Sequence, residues 1–272
     1  MKKIENLKPL INKELIIEQQ YGQNFKSILK QINELDSPEV YLISCKRFGL
    51  KRILQKLKEQ DVDYEVIGKK SPDFRLVKIY KTKTIEVESK ESFVELKIKN
   101  ILYKLKTTDS IFSREEIDEG TQILITFLER ISTKKNKVFL DLGCGYGAIS
   151  YFLAKTKQPE KILSYEIDPI SVENAKFNLH NFESAKIINQ DFLETGLEDI
   201  IDYWISNPPL HITSEQREKM VEILKINNPN LKFALVVKSR FVSRFLKTLE
   251  VHFDNVTNFK VENYSILTNF KI

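Results

Sequence analysis

Apolar positions change their period along this 272-residue chain, and the change divides it. Up to about residue 90 they come in short runs. EVYLIS (39–44), DYEVIG (63–68) and FRLVKIYK (74–81) read as strands, LKRILQKLKEQ (50–60) as a helix, and a helix containing FKSILKQI precedes them. Two further strands, SFVELKIK and ILYKLKT, lead into TDSIFSREEIDEGTQ. The expected boundary lies near residues 85–95, giving a small α/β unit over 1–90 and a larger one over 91–272.

In the second part strands and helices alternate. SREE (113–116) fits a capping box, with Ser113 accepting from the first turn and Glu116 reaching back. After Gly120, the residues Ile123, Leu124, Phe127, Leu128 and Ile131 share one helical face. The strands KVFLD (137–141), KILSYEI (161–167), AKIINQ (185–190), DYWIS (202–206) and KFALVV (232–237) are separated by four helical segments. The chain closes on NVTNFKV and YSILTNFK, a hairpin turning through Glu262–Asn263. This alternation predicts an α/β fold with a Rossmann-like, doubly wound parallel sheet and a C-terminal antiparallel hairpin.

Composition narrows the class. At 42% apolar and 30% charged residues the chain can build a real core, and no run of about 18 apolar residues predicts a membrane span. The start reads as no signal peptide, so the expected compartment is the cytoplasm. Cys45 and Cys144 fall in different units, and two Cys with three His make no metal-site spacing, so neither a disulfide nor a metal is expected. The net charge of +5 is uneven: residues 1–110 carry 23 Lys and Arg against 16 Asp and Glu, whereas residues 111–272 carry 20 against 22. The densest piece, CKRFGLKRILQKLK, reads equally as a surface that neutralises phosphates and as a solvated helix face.

The candidate chemistry sits at strand ends. In FLDLGCGYGAIS, Gly143, Gly145 and Gly147 follow a strand and open a helix, so the backbone can turn tightly and approach a ligand. Glu166 ends the next strand, where a carboxylate meets ribose hydroxyls. With Ala148 as the last small residue the loop also fits a dinucleotide fingerprint. Asp141 weighs against it, because a pyrophosphate would meet that carboxylate. S-adenosylmethionine instead carries an ammonium and a sulfonium that an acid attracts. Asp191 and Phe192 after the third strand are candidates to meet an adenine. ISNPPLH leaves the fourth strand on the same edge, with Asn207, Pro208, Pro209, Leu210 and His211 in sequence.

FSREEIDEGTQILI, FLDLGCGYGAIS and ISNPPLH together resemble the small-domain S-adenosylmethionine-dependent methyltransferases typified by the ribosomal RNA small-subunit guanine-N2 enzymes and their archaeal relatives. The likeness covers roughly residues 96–272. In bacterial members a degenerate α/β domain precedes the active one, and the basic first unit looks like a shortened version that recruits RNA. The resemblance implies S-adenosyl-L-methionine as cofactor, bound by Asp141, Gly143, Gly145, Gly147, Glu166, Asp191, Phe192, Asn207 and Thr121. The segment from Phe112 to Thr121 would close over its methionine end. Asn207, Pro208 and Pro209 would be catalytic, with Leu210, His211 and Arg240 facing the substrate; Arg240 and Arg244 read equally as exposed helix charges.

The implied partner is RNA, ribosomal in kind, with neither membrane nor metal and an open oligomeric state. Leu210 stands where adenine-N6 and glutamine methyltransferases carry an aromatic ring, which favours guanine N2. Adenine N6, transfer RNA and protein glutamine stay open as acceptors. A nicotinamide dehydrogenase and a non-catalytic RNA-binding protein stay open as other classes.

Overall fold

In a computed structural model, residues 2–3, 12, 15–19, 23, 25–69, 73–87, 91–108, 116–197, 199–210 and 212–271 are described. The chain forms two compact units, Met1–Ser89 and Lys90–Ile272.

The first unit holds a five-stranded mixed sheet in the order β1-β4-β5-β3-β2. Its elements are β1 (Lys2–Lys3), β2 (Ile16–Glu18), α1 (Phe25–Glu34), β3 (Glu39–Cys45), α2 (Leu50–Glu59), β4 (Tyr64–Lys69) and β5 (Phe74–Tyr80). Strands β1 and β2 are two and three residues long, too short to leave a period in the sequence. Ile28, Leu29 and Ile32 of α1 and Ile53 and Leu57 of α2 pack on Val40, Leu42, Val77 and Ile79 of the sheet.

The second unit begins with a hairpin, β6 (Glu91–Ile98) and β7 (Ile101–Thr108). Strict alternation along β6 turns Val94, Leu96 and Ile98 inward. The rest comprises α3 (Glu119–Arg130), β8 (Val138–Leu142), α4 (Ala148–Thr156), β9 (Lys161–Tyr165), α5 (Pro169–Leu179), β10 (Ala185–Ile188), α6 (Phe192–Thr195), β11 (Tyr203–Ser206), α7 (Ser214–Asn227), β12 (Lys232–Lys238), α8 (Val242–His252), β13 (Thr257–Val261) and β14 (Tyr264–Thr268). Seven strands run in the order β10-β9-β8-β11-β12-β14-β13, the first five parallel. Strand β14 is antiparallel to both neighbours, as the closing hairpin predicts.

The pleat divides the core into two layers. Phe139, Ile162, Tyr203, Ile205, Ala234 and Val236 face α3, α4 and the β6–β7 hairpin. Their chain neighbours Leu140, Leu163, Trp204, Phe233, Leu235 and Val237 face α7 and α8. That is the doubly wound arrangement. The helix before β8 starts later than the SREE reading: Asp118 is its cap and accepts from Thr121 N at 3.0 Å. Glu116 lies in a bend ahead of it, and Ser113 falls outside the described residues. No helix among the described residues is long and apolar enough to cross a membrane.

Candidate functional site

Strand order reverses between β8 and β11, and the crevice outside the carboxyl ends of those strands is where open α/β sheets bind ligands. The two strands pair only through Tyr203↔Phe139 and Trp204↔Leu140. Beyond that the ladder gives way, and Leu142 N donates to the buried Ser206 Oγ at 2.8 Å. Ser206 thus holds the fork open while satisfying a backbone donor, and Asn207 stands at its tip. The glycine loop lies opposite: a Cβ on Gly143 would meet Pro209 Cδ at 3.6 Å. The loop and the Asn-Pro-Pro exit, far apart in sequence, are therefore neighbours.

Glu166, one residue beyond β9, clamps the loop. Its Oε2 accepts from Gly145 N at 2.9 Å, and its Oε1 accepts from Ile167 N and Asp168 N at 2.8 and 2.9 Å. Burial raises its pKa above the ordinary carboxylate value against the pull of those N–H groups. Each oxygen keeps acceptor capacity for hydroxyl donors. At Gly145, φ is +57° and an added Cβ would meet nothing within 4 Å, so the chain leaves space there. At Gly147, φ is +87° and a Cβ would crowd Leu179 Cδ1 at 3.0 Å, so that glycine serves helix packing.

Asp141 is fully buried on the α4 side of the sheet. Its Oδ2 accepts from Ser150 Oγ at 2.8 Å, and Ser150 and Ser164 hydroxyls lie 2.8 Å apart. Oδ1 has no partner. Desolvation pushes the carboxyl up to about 7. An orphaned carboxylate oxygen beside an open loop suits a cationic ligand group, so these residues fit S-adenosylmethionine. Cys144 is buried and free, and burial holds its thiol well above the ordinary value, which keeps it protonated.

Asn207 has a fixed orientation. Its Nδ2 donates to Asp118 Oδ2 at 2.8 Å and to Thr121 Oγ1 at 3.2 Å. An ionised carboxylate only accepts, so the amide nitrogen must face Asp118 and Oδ1 must point away. Thr121, expected among the cofactor-binding residues, meets the Asn207 amide through its hydroxyl. Asp118 is a residue the sequence reading missed. Its signal was the D-x-x-T spacing of a cap, masked by the capping-box pattern five residues earlier.

The other candidates divide. Asp191 caps α6, accepting from Leu193 N at 2.8 Å, and Phe192 is 7% exposed, its ring edge-on to Tyr165 at 5.3 Å. Phe192 belongs to the core layer that faces α7 and α8. Pro208 is buried and Pro209 exposed, and Leu210 packs against the α7–α8 layer. Arg240 and Arg244 are exposed on the same edge of the sheet, after β12. His211 lies outside the described residues.

Known proteins resemble this chain in sequence and in fold. Residues 102–268 match the family described as methyltransferase small domain. The chain is 24% identical over 176 residues to a ribosomal RNA small subunit methyltransferase C of Acinetobacter baylyi, a stretch covering 63% of this chain and 51% of that protein. It is 31% identical over 116 residues to the protein of that name from Actinobacillus pleuropneumoniae, covering 42% and 35%. The chain thus spans about half or less of the length of these relatives. A T. thermophilus 16S rRNA N2 methyltransferase solved with AdoMet and guanosine superposes with a TM-score of 0.68 at 22% identity, covering 93% of this chain and 71% of that one. That likeness establishes the fold, and the matched span makes the chain a member of the methyltransferase small domain family.

Proposed function

We propose that this protein is an S-adenosylmethionine-dependent methyltransferase that modifies an exocyclic amine of an RNA base, guanine N2 in ribosomal RNA. The observation that carries the reading is the amide of Asn207, turned by Asp118 so that its oxygen faces away from the cap at the fork between β8 and β11. The names of the similar proteins supply the acceptor class.

S-adenosylmethionine supplies an electrophilic methyl group on a sulfonium. Asp141 Oδ1 offers the negative charge for an ammonium, and Glu166 takes hydroxyls while holding the Gly145 backbone. The nitrogen lone pair of an aromatic amine is delocalised into its ring, which makes it a poor nucleophile. Asn207 Oδ1 and the Pro208 carbonyl accept the two amine hydrogens, aim that lone pair and stabilise its growing positive charge. Bound S-adenosylmethionine would give its methyl to that nitrogen and leave as the neutral thioether, and the methylated amine would release its proton to solvent. Prolines on either side of the second acceptor restrict the backbone that carries it. Leu210 gives the base apolar contact without a stacking ring. The base must leave its stack to enter. The reading places the protein in the cytoplasm with ribosomal RNA as its partner and the basic first unit as an RNA-recruiting module.

The test is transfer of labelled methyl to unmodified small-subunit ribosomal RNA and to transfer RNA, followed by nucleoside mass spectrometry. N2-methylguanosine in ribosomal RNA is the expected product. Label in N6-methyladenosine, in transfer RNA alone or in neither RNA overturns the assignment.

A further inference from the structure

Three arginines gather at the start of the α7–α8 pair. Arg217 lies in the first turn of α7 and is only 8% exposed. Its Nε donates to Thr248 Oγ1 at 3.2 Å, and its Cζ sits 5.6 Å from the Phe245 ring centre. Arg240 and Arg244 flank one ring, with Cζ atoms 4.8 and 5.6 Å from the centre of Phe241. Among the described residues none of the three makes an ion pair. Two acids, Glu218 and Glu215, act on Arg217 through their charge, and each also has another partner. Glu218 Oε1 accepts from His252 Nε2 at 2.7 Å, and Glu215 takes a hydrogen bond from Ser214 Oγ at 3.4 Å.

This is an unusual way to spend a buried charge. Burial and then the positive charge of Arg244 lower the pKa of Arg217 against the pull of Glu218 and Glu215, so the two guanidinium groups oppose each other. Elsewhere in this unit the partly buried lysines Lys137 and Lys161 are paired with Asp202 and Asp199. Aromatic rings can hold a guanidinium in place without neutralising it. A planar fork so held is matched to the paired oxygens of a phosphate, which a lysine ammonium is not. Leu210, after the Asn-Pro-Pro exit, belongs to the same apolar layer as Phe241 and Phe245, and Arg240 follows β12 on the carboxyl edge that also carries Asn207.

We propose that Arg217, Arg240 and Arg244 form one anion site that takes the phosphodiester backbone of RNA beside the nucleotide presented to Asn207. The proposal rests on the RNA-methyltransferase reading. It goes beyond that reading by placing the strand: the RNA backbone runs over the first turns of α7 and α8. It also adds Arg217, the buried member of the cluster.

The test is the affinity of the full chain for an unmodified small-subunit ribosomal RNA transcript, measured at several salt concentrations. The variants are Arg240→Gln, Arg244→Gln and Arg217→Lys. Arg240→Gln and Arg244→Gln change exposed tips, so their folding is secure; Arg217→Lys keeps the charge and removes the fork. Each of the two Gln variants is expected to bind RNA at least roughly threefold more weakly, with the slope of log affinity against log salt shallower by about 0.7 per arginine removed. Arg217→Lys weakens RNA binding with the slope unchanged. Cofactor affinity by calorimetry stays at the wild-type value in all three. Inorganic phosphate competes with RNA for wild type and less so for the variants. RNA affinity and slopes equal to wild type in the Gln variants overturn the site while leaving the methyltransferase reading intact. A wild-type protein that binds cofactor but no RNA overturns both.

Discussion

Asp118 Oδ2 receives both the first-turn backbone N–H of Thr121, at 3.0 Å, and the side-chain amide of Asn207, at 2.8 Å. One carboxylate oxygen therefore caps a helix and orients the amide proposed to grip the acceptor. These two roles separate by substitution. A serine caps a helix about as well as an aspartate, and its side chain is one atom shorter. Asp118→Ser is expected to unfold within about 0.5 kcal/mol of wild type while kcat falls by roughly tenfold or more, with cofactor affinity little changed. Equal losses in stability and kcat/KM across Asp118→Ser and Asp118→Ala would show that the cap alone matters.

Asn207→Ala removes the acceptor oxygen and leaves the Leu142–Ser206 hydrogen bond at the fork in place. Methyl transfer is expected to drop by about 10²–10³, the range for one lost transition-state contact. S-adenosylmethionine binding by calorimetry should survive within a fewfold. Persistent transfer would remove Asn207 from the proposed chemistry.

The loop glycines differ in what a methyl group would meet, and so should their alanine variants. Gly147→Ala pays for a left-handed backbone and for the Leu179 contact at 3.0 Å, so a stability loss of roughly 2 kcal/mol is expected by chemical denaturation. Gly145→Ala meets no neighbour within 4 Å and carries only the backbone cost, about 1 kcal/mol. Its methyl group instead enters the space left for ligand, so cofactor affinity should fall at least about tenfold in that variant. Unchanged affinity in Gly145→Ala would place the cofactor elsewhere.

The buried Asp141 carboxyl, held up near 7 from an ordinary 3.8, makes stability depend on pH in the less common direction. Between those values the folded state holds a proton that the unfolded chain releases. This group therefore costs the fold stability as pH rises from about 4 to about 7, and the full cost persists above. Asp141→Asn removes that cost. Thermal melts should show the variant more stable than wild type at pH 8, by roughly 2–4 kcal/mol, with the gap closing towards pH 4. The same variant should bind S-adenosylmethionine more weakly, because an amide cannot neutralise an ammonium. A constant gap across pH would mean that Asp141 stays ionised in the free protein.

Much of this was legible because strands of a doubly wound sheet announce themselves. The runs KVFLD, KILSYEI, AKIINQ, DYWIS and KFALVV became β8, β9, β10, β11 and β12 with ends shifted by one or two residues. The glycine loop and Asn-Pro-Pro could be placed on one edge because parallel strands share their carboxyl ends. Asp118 could not, since its contact with Asn207 spans 89 positions and its local neighbourhood offered a stronger cap pattern. The edge-on contact of Phe192 with Tyr165 was equally illegible, because an aromatic after a strand carries no mark of which way its ring turns.

Trp204, the chain's only tryptophan, is fully buried in β11 three residues ahead of Asn207, its ring 6.1 Å from that of Phe233. Its native emission belongs to an apolar surrounding and will shift to the red when that strand meets water. The protein thus carries a built-in optical gauge of the fork strand itself. A loss of activity without a red shift in any variant above reports an intact strand with altered chemistry at its tip.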